Sequence, residues 1–322
     1  MMRILGIGNA LVDVLTFIDS DELLERFSLP KGSMQLVDAE RSYSIRKEIS
    51  INRQMLTSGG SVANTIHGLG MLGACAGFIG SVGNDSTGDL FEKDLKEAGV
   101  NTFLMRRETT TGTAITLISP DAQRTFATHL GAAVEMQAGD IRNEMFDGYD
   151  IFYLEGYLIT NYSLVETACM MAVRKSLTIA VDFSSYNVVE ENRESFEKII
   201  RTYADIVFAN EDEVKAFTGM PAMEALDYLS GLCKIAVVKT GASGSLIKKH
   251  DEILKIDAVP VVCNDTTGAG DLYASGFLYG YAKGLSLEKC GKYGAILAAK
   301  VIEIPGARMD KERFRQIRTL IK

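Results

Sequence analysis

The stretch DTTGAGDLYASGF, from Asp265 to Phe277, decides the prediction of the fold. Its first half combines small and helix-capping residues with two glycines, which is typical of a tight loop. Its second half and the residues after it are apolar at helical spacing: Leu272, Ala274, Phe277, Leu278 and Tyr281. This change of pattern predicts a loop that leads directly into a helix.

The backbone at the start of this helix is the first candidate for a functional site. We expect unpaired N–H groups to point toward one position, where the helix dipole adds to their attraction for an anion. These groups belong to Thr267, Gly268, Ala269 and Gly270. The carboxylate of Asp271, in the first turn, would take a proton from a hydroxyl group while phosphate rests on the N–H groups. The alternative is an ordinary capped helix in which Asp271 is only an N-terminal charge.

Composition limits the classes of protein to which the chain can belong. It has 322 residues, of which 47% are hydrophobic, and this fits one large α/β domain with a small appendage or two modest domains. The net charge of −8 gives no electrostatic attraction for nucleic acid or for an anionic membrane. An anionic substrate would therefore need a local basic group or a nest of N–H groups.

Cysteine, histidine and hydropathy patterns exclude further classes. The five cysteines form no C-x-x-C pair and the three histidines are scattered, so we expect free thiols and no histidine-based metal site. The N-terminal segment lacks the apolar core of a signal peptide, and no stretch approaches the ~20 apolar residues of a membrane span. We therefore expect a cytoplasmic protein without a membrane partner.

Strand and helix patterns alternate along most of the chain. The run RILGIGN, Arg3 to Asn9, predicts a buried strand that ends in a loop, and from Asp140 onward strands and helices alternate. This predicts an α/β fold with a doubly wound, mostly parallel sheet and helices on both faces. Short strand patterns elsewhere predict an inserted small β-sheet, a lid over about 15–37 and 103–128, attached to a single domain, 1–322. They cover Thr16–Ile18, Met34–Val37, Phe103–Arg106, Thr113–Ser119 and Thr125–Thr128.

Polar residues near the predicted strand ends are candidates for binding. Asn9 and Asp13 follow the first strand, and in a doubly wound sheet ligands bind at the carboxyl ends of strands. An amide and a carboxylate together can hold adjacent hydroxyl groups of a sugar, although a solvated turn is the alternative. The segment GGSVAN, Gly59 to Asn64, allows close approach of a ligand to the backbone or is a plain glycine turn before a helix.

Two later loops have the same ambiguity. TGASGS, Thr240 to Ser245, follows a predicted strand and either contacts nucleotide phosphates or forms a β-turn. Asn210 and Glu213, in NEDE, either hold hydrated Mg²⁺ or cap a helix.

Taken together, these motifs resemble the ribokinase-like (PfkB) family of carbohydrate and nucleoside kinases. DTTGAGDLYASGFL looks like the C-terminal signature of that family, and GGSVANTIHGLGMLG with GSVGNDSTG looks like its N-terminal signature. The resemblance implies ATP-dependent transfer of phosphate to a hydroxymethyl group, with Asp271 as the catalytic base and Gly268, Ala269 and Gly270 as the anion hole. It also implies that the inserted strands are a substrate lid.

The same resemblance assigns the remaining candidate residues. Substrate-binding positions are Asn9, Asp13, Gly59, Gly60 and Asn64. Nucleotide-binding positions are Asn210, Glu213, Thr240, Gly241, Gly244 and Thr267, with Glu213 linked to Mg²⁺ through water. Arg124 on the lid would cover the transferring phosphate or is a solvated arginine of the hairpin SPDAQR.

Within the family, the N-terminal half looks most like the adenosine kinases and their bacterial relatives. The similarity rests on GIGNALVDV, on KGSMQLVDAE with Gln35 as a further substrate-binding position, and on EGYL at Glu155. Leu36, Ile115 and Leu117 would line the pocket for the base. A sugar kinase acting on a furanose such as ribose or fructose, or a non-catalytic sensor of nucleotide or sugar, are the alternatives. Two questions stay open: K⁺ dependence, for which EIPGARMD at Glu303–Asp310 is the candidate segment, and the choice between monomer and homodimer.

Overall fold

The computed structural model describes residues 1–52, 54–121 and 123–321, so Ala122 of the predicted hairpin turn lies outside the described residues. The strands are β1 (Ile4–Ile7), β2 (Leu11–Phe17), β3 (Met34–Leu36), β4 (Gln54–Gly59), β5 (Ala76–Gly83), β6 (Val100–Arg107), β7 (Thr111–Ile118), β8 (Arg124–Gly131), β9 (Ile151–Glu155), β10 (Thr178–Asp182), β11 (Ile206–Asn210), β12 (Ile235–Lys239), β13 (Ser245–Lys249) and β14 (Glu252–Ile256). The helices are α1 (Glu22–Arg26), α2 (Ala39–Glu48), α3 (Ser61–Leu72), α4 (Ser86–Glu97), α5 (Tyr162–Arg174), α6 (Tyr186–Glu191), α7 (Arg193–Tyr203), α8 (Glu211–Thr218), α9 (Ala222–Ser230), α10 (Ala269–Ala282), α11 (Leu287–Val301) and α12 (Lys311–Leu320).

The large sheet has the strand order β14-β13-β12-β11-β10-β9-β1-β5-β6. Its strands from β12 to β6 are parallel, and β13 and β14 continue it as an antiparallel hairpin. The central strands read as unbroken apolar runs, such as ILGI, IFYLE and IVFAN, because helices cover both faces of the sheet. One buried core contains residues of α3, α4, α10 and α11, and the other contains residues of α5, α7, α8 and α9. The predicted fold class is therefore confirmed.

The strand order places polar residues along one edge of the large sheet. The order reverses between β1 and β9, and in such sheets ligands bind in the crevice outside the carboxyl ends of the strands at this point. Asn9 follows β1 directly. The last residues of the next four strands along the same edge are Glu155, Asp182, Asn210 and Lys239.

The small sheet has the strand order β3-β8-β7-β2-β4. One face packs under α2, where Ile45 joins Val14, Ile115 and Leu117 in a separate core. The strand register places Asp13 beside Ala114, Thr128 and Leu36 on the opposite face, because directly paired residues point to the same side. The small sheet therefore has one face that is buried by a helix and one face that carries Asp13.

One prediction about the small sheet is wrong, and one of its strands was missed. The segment Phe103–Arg106 lies in β6, which pairs with β5 at the edge of the large sheet. An edge strand is only half-buried, so its residue pattern resembles that of a separate small sheet. The strand β4 was not predicted, because its mixed sequence QMLTSG gives no alternation, and pairing with β2 forms it. Among the helices, α6 and α7 are separated by the single residue Asn192.

In the part of the chain that the structure describes, no helix combines the length and apolar character needed to cross a membrane.

Close contact between α10 and α11 generates a prediction about stability. A Cβ at Gly276 would lie 2.8 Å from the Gly294 nitrogen and 2.6 Å from the Tyr293 carbonyl carbon. Because these atoms belong to the backbone, the two helices must separate. We expect Gly276→Ala to lower the free energy of unfolding by about 1–3 kcal/mol in chemical denaturation. The control is Gly139→Ala, which adds a methyl group to open space. Equal stability of both variants would contradict the packing argument.

Candidate active site

The carboxylate of Asp271 is held by residues from a distant part of the chain. Its Oδ1 accepts a hydrogen bond from Ser61 Oγ at 2.7 Å, and its Oδ2 accepts one from Asn64 Nδ2 at 2.9 Å. Thr65 Oγ1 donates to the backbone carbonyl of Asp271 at 3.0 Å. The start of α3 therefore fixes the first turn of α10, and the two predicted glycine motifs meet at Asp271.

The protonation of Asp271 is set by two opposing effects. Burial raises its pKa to about 6, although the hydrogen bonds from Asn64 and Ser61 favour the charged form. The group is therefore ionised at neutral pH, with a proton affinity higher than that of an ordinary aspartate. Such a carboxylate can accept a proton from a hydroxyl group close to neutral pH.

Backbone N–H groups at the start of α10 form the predicted anion hole in part. The Thr267 N–H donates to Asp265 Oδ1 at 2.9 Å, and the Ala269 N–H donates to the Thr266 carbonyl at 3.1 Å. Thr267 and Ala269 were therefore wrongly predicted to offer free N–H groups. Within the described residues, the N–H groups that have no acceptor here belong to Gly268, Gly270 and Asp271. The hole thus includes the backbone of the proposed base itself.

Asn9 is oriented by a buried glutamate. Glu155 is fully buried, and its Oε1 accepts the backbone N–H and the Nδ2 of Asn9, both at 2.8 Å. Its Oε2 accepts the Val62 N–H at the start of α3, at 3.0 Å. Burial raises the pKa of Glu155 to about 7. The carboxylate therefore directs the amide nitrogen of Asn9 toward itself and leaves the amide oxygen for another partner.

Two buried amide oxygens of the site accept no hydrogen bond. Within the described residues, Asn9 Oδ1 and Asn64 Oδ1 have no hydrogen-bond partner. In both cases the amide nitrogen is engaged by a carboxylate, of Glu155 for Asn9 and of Asp271 for Asn64. A buried polar atom without a partner is costly, so these oxygens fit a ligand that brings hydroxyl groups.

The glycines of GGSVAN make room for the chain itself. A Cβ at Gly59 would lie 2.5 Å from Asp13 Oδ2, and a Cβ at Gly60 would lie 3.3 Å from the Asn9 carbonyl carbon. Gly60, the residue before α3, has a φ of 98°, which favours glycine. Gly59 therefore packs against Asp13, and Gly60 packs against Asn9. The sequence predicted that a ligand would approach the backbone of these glycines, but the residues that do so are Asp13 and Asn9, which are themselves candidates for binding the ligand.

Arg308 is a charged residue of the site that the motifs did not reveal. It is buried, its Nη2 donates to Ser58 Oγ, and its Nε lies 3.6 Å from Asp94 Oδ2. Burial raises the pKa of Asp13 to about 6, whereas the charge of Arg308 lowers it. The arginine therefore favours the ionised form of Asp13. The signal available in the sequence was the arginine of EIPGARMD, two residues after its glycine, in a segment considered for K⁺ dependence.

Lys239 and Asp182 are further residues that sequence reasoning missed. Lys239 Nζ donates to Asp182 Oδ2 at 3.2 Å, and Tyr153 Oη donates to the same oxygen at 3.3 Å. The available signal was their position as the last residues of parallel strands. The predicted loop Thr240–Gly244 follows Lys239 and closes through a bond from the Thr240 N–H to the Gly244 carbonyl at 2.8 Å.

Asn210 and Glu213 cap α8. The Glu213 carboxylate accepts the N–H of Asn210 at 2.7 Å and its Nδ2 at 2.8 Å, while Asn210 Oδ1 accepts the Glu213 N–H at 2.9 Å. The capping alternative is therefore present. Burial raises the pKa of Glu213 to about 7. Among the described residues, no group of three or more His, Cys, Asp or Glu is arranged to hold a metal ion, so a cation would need ligands from elsewhere.

Arg124 connects the small sheet to the loop before α10. It forms an ion pair with Asp265 and is only 18% exposed, so the alternative of a solvated hairpin arginine is wrong. The Asp265 carboxylate also accepts the Gly306 N–H at 2.6 Å. The segment Glu303–Asp310 thus contacts, through Gly306, the loop before α10 at Asp265. The dependence on K⁺ stays a prediction.

Register corrects the predicted base pocket. Gln35 pairs with Ala127, which pairs with Ile115, so all three lie on the face that packs under α2. Leu117 is fully buried in the core of that face. The predictions for Gln35, Ile115 and Leu117 are therefore wrong. Of the predicted pocket residues, Leu36 lies on the face that carries Asp13.

Comparisons with known proteins support the same grouping of motifs. Among solved structures, a probable sugar kinase from Rhizobium etli CFN 42 has a TM-score of 0.89 and 32% identity, covering 100% of this chain and 99% of its own. The adenosine kinase from Sinorhizobium meliloti has a TM-score of 0.88 and 32% identity, covering 99% of both chains. An uncharacterized sugar kinase from Archaeoglobus fulgidus is 30% identical over 249 residues, which are 75% of this chain and 96% of that protein.

A sequence model of the pfkB family of carbohydrate kinases matches residues 34–313. This match spans most of the chain and includes both glycine motifs and Asp271. It agrees with the α/β architecture and with the meeting of the two motifs at one carboxylate. The chain therefore belongs to the pfkB family of carbohydrate kinases.

Proposed function

We propose that this kinase transfers the γ-phosphate of ATP to the primary hydroxyl group of a nucleoside, with adenosine as the first candidate. The observation that carries the proposal is the carboxylate of Asp271, held by Ser61 and Asn64 at the mouth of a hole of free N–H groups. A proton acceptor and an anion-binding site thus lie within one helical turn. This arrangement fits phosphoryl transfer to a hydroxyl group.

The chemistry follows from the same turn. The free N–H groups of Gly268, Gly270 and Asp271 would bind the γ-phosphate and stabilise the charge that spreads over its oxygens during transfer. Asp271 would take the proton from the attacking hydroxyl group. The bond from phosphorus to the bridging oxygen of ATP breaks as the bond to the acceptor oxygen forms. ADP leaves with that bridging oxygen.

The nucleotide would lie over the carboxyl ends of β11 and β12. We assign its phosphates to the loop formed by Thr240, Gly241 and Gly244; both donors of Thr267 are engaged by Asp265, so Thr267 is not part of this assignment. Mg²⁺ would shield the charge of the ATP phosphates, and Asn210 and Glu213 would contact it through water. Contact through water suits Glu213, which is engaged as a cap, because the described residues form no complete set of protein ligands for a metal ion.

The acceptor class is inferred from two surfaces of the site. Asp13 and the free amide oxygens of Asn9 and Asn64 suit the hydroxyl groups of a ribose. On the same face of the small sheet as Asp13, the side chains of Met34 and Leu36 are exposed and apolar. A nucleoside base would cover them, whereas a free furanose would leave them in water.

There are two alternatives to a nucleoside kinase, a sugar kinase and a non-catalytic sensor. A sugar kinase acting on a furanose also uses the hydroxyl-binding groups, and two of the relatives compared are named sugar kinases. A non-catalytic sensor would not require Asp271 or the hole of N–H groups.

We also propose that residues 1–322 form one kinase domain in which the small sheet acts as a lid. Closure would exclude water from the transferring phosphate.

The deciding experiment measures ADP release with a panel of nucleosides and furanoses as acceptors. We expect adenosine or a close relative to be phosphorylated most efficiently. Efficient turnover of free ribose or fructose with no turnover of any nucleoside would contradict the nucleoside assignment and support the sugar kinase. Binding of nucleotide without turnover of any acceptor would support the sensor.

The role of Asp271 predicts a large loss of turnover. We expect Asp271→Asn to reduce kcat by ~10²–10⁴ in a variant that still folds, with a modest loss of thermal stability because an amide accepts weaker hydrogen bonds from Ser61 and Asn64 than a carboxylate does. The control is Asp310→Asn, because the Asp310 carboxylate caps α12 and accepts the Arg313 N–H at 2.7 Å. An Asp271→Asn enzyme within a few-fold of the parent would show that Asp271 only caps its helix.

The raised pKa values predict an acid limb in the pH profile. Asp13 and Asp271, each with a pKa of about 6, act as carboxylates, so kcat/KM is expected to fall as the pH drops through about 6. In Arg308→Met the pKa of Asp13 should rise, which moves the limb to higher pH. Arg313→Met, which removes a partner of Glu303, is the control. An unchanged limb in Arg308→Met would contradict the influence of Arg308 on Asp13.

The role of Asp13 predicts discrimination between acceptors. We expect 2′- or 3′-deoxynucleosides to react poorly, by up to ~10⁴ in kcat/KM, because a site built for a hydroxyl group rejects analogues without it. Asp13→Ala should lose both that discrimination and most activity. The control is Asp19→Ala, which removes an exposed carboxylate just beyond the same strand. Persistent discrimination in Asp13→Ala would assign the hydroxyl contact to another residue.

A further inference from the structure

Lys239 lies between the anion hole at the start of α10 and the carboxyl ends of the parallel strands. A Cβ at Gly270 would be 3.1 Å from Lys239 Nζ, so this ammonium group lies beside the free N–H of Gly270. On its other side, Nζ donates to Asp182 Oδ2 at 3.2 Å. Because Gly270 has no side chain, the ammonium group of Lys239 can occupy the space beside its backbone.

The charge of this lysine is set by its neighbours. Burial acts to lower the pKa of Lys239, but the charges of Asp182 and Glu213 more than offset this effect, and the pKa lies above its ordinary value. Asp271 contributes in the same direction. The side chain is 14% exposed and protonated at neutral pH. It is a fixed positive charge within a cluster of carboxylates.

The ammonium group has hydrogen-bonding capacity to spare. It carries three N–H donors, and within the described residues Asp182 accepts the one hydrogen bond that Nζ makes. The other nearby cation, Arg124, is engaged with Asp265. Arg124 Nε also lacks an acceptor among the described residues, but Lys239 is the cation whose ammonium group lies beside the free N–H of Gly270.

Resting on the proposed function, we propose that Lys239 Nζ binds the γ-phosphoryl group during transfer and that Asp182 is the positioning residue for it. The phosphoryl oxygens would lie on the N–H groups of Gly270 and Asp271 and accept a further hydrogen bond from Nζ. Lys239 keeps its proton throughout. The proton of the acceptor hydroxyl group still goes to Asp271, and the bonds that break and form are those already given.

The proposal distinguishes ATP from ADP, because only ATP carries the group that Nζ contacts. We expect Lys239→Met to weaken ATP binding roughly 10- to 100-fold in calorimetry, the usual worth of a hydrogen bond to a charged group, and to leave ADP binding unchanged. The kcat should fall by ~10²–10³, as when a donor to a developing charge is removed, with an unchanged KM for the acceptor. Lys239→Arg should recover part of both losses.

Two further variants make the test selective. Lys239→Met leaves Asp182 without its cation, so the double variant Lys239→Met with Asp182→Asn removes both charges and protects the fold. We expect it to show the same selective loss of ATP binding. The matched control is Lys248→Met on the neighbouring strand β13, where the lysine is similarly buried and pairs with Asp227 at 2.6 Å.

The outcomes separate this proposal from the proposed function. Folded Lys239→Met, or the double variant, with the ATP affinity of the parent would overturn the phosphate contact, as would equal losses for ATP and ADP. If the parent binds ATP but phosphorylates no acceptor, the proposed function fails, and the comparison of ATP with ADP still decides the role of Lys239. A parent that binds neither nucleotide would overturn both proposals.

Discussion

The attachment of Asp271 to α3 is the interaction on which the site depends. Ser61 and Asn64 hold both carboxylate oxygens, and Thr65 holds the backbone of the same residue. Each hydrogen bond to a charged group contributes about 1.5–3 kcal/mol when it is well formed, so the two helices are fixed by polar contacts as well as by packing. The same contacts orient Asn64 and leave its oxygen for a ligand.

Buried carboxylates dominate the carboxyl edge of the large sheet. Burial raises the pKa values of Glu155 and Glu213 to about 7 and that of Asp271 to about 6. Close to neutral pH these groups are therefore sensitive to any added charge. Two buried cations lie among these carboxylates. Lys239 is beside the anion hole, and Arg308 is near Asp13. These cations place local positive charge in the site although the chain is acidic overall, which suits the anionic nucleotide that we propose.

The two faces of the small sheet have different tasks because side chains alternate along a strand. Ile115 and Leu117 belong to the core under α2, whereas Leu36 and Asp13 share the face toward the site. A shift of one residue exchanges these faces, which is why Gln35 lies on the face under α2 while its neighbour Leu36 lies on the face of Asp13. Helix α2 gives no apolar pattern along its sequence, AERSYSIRKE, and the covered face was therefore not foreseen.

The sequence by itself determined the alternation of strands and helices, the doubly wound sheet, the resemblance to the family and the two glycine motifs, but their meeting at Asp271 is seen only in the tertiary structure. Local patterns suffice for these features, since periodicity and glycine turns are properties of neighbouring residues. The tertiary structure decided which N–H groups are free, which face of the small sheet carries Asp13, and that Lys239, Asp182 and Arg308 belong to the site. Lys239 and Asp182 end different strands, and Arg308 comes from a loop near the C-terminus. Lys239 and Asp182 lie together because parallel strands align their carboxyl ends in space, whereas Arg308 reaches Ser58 and Asp94 from its loop; no local stretch of sequence encodes either arrangement.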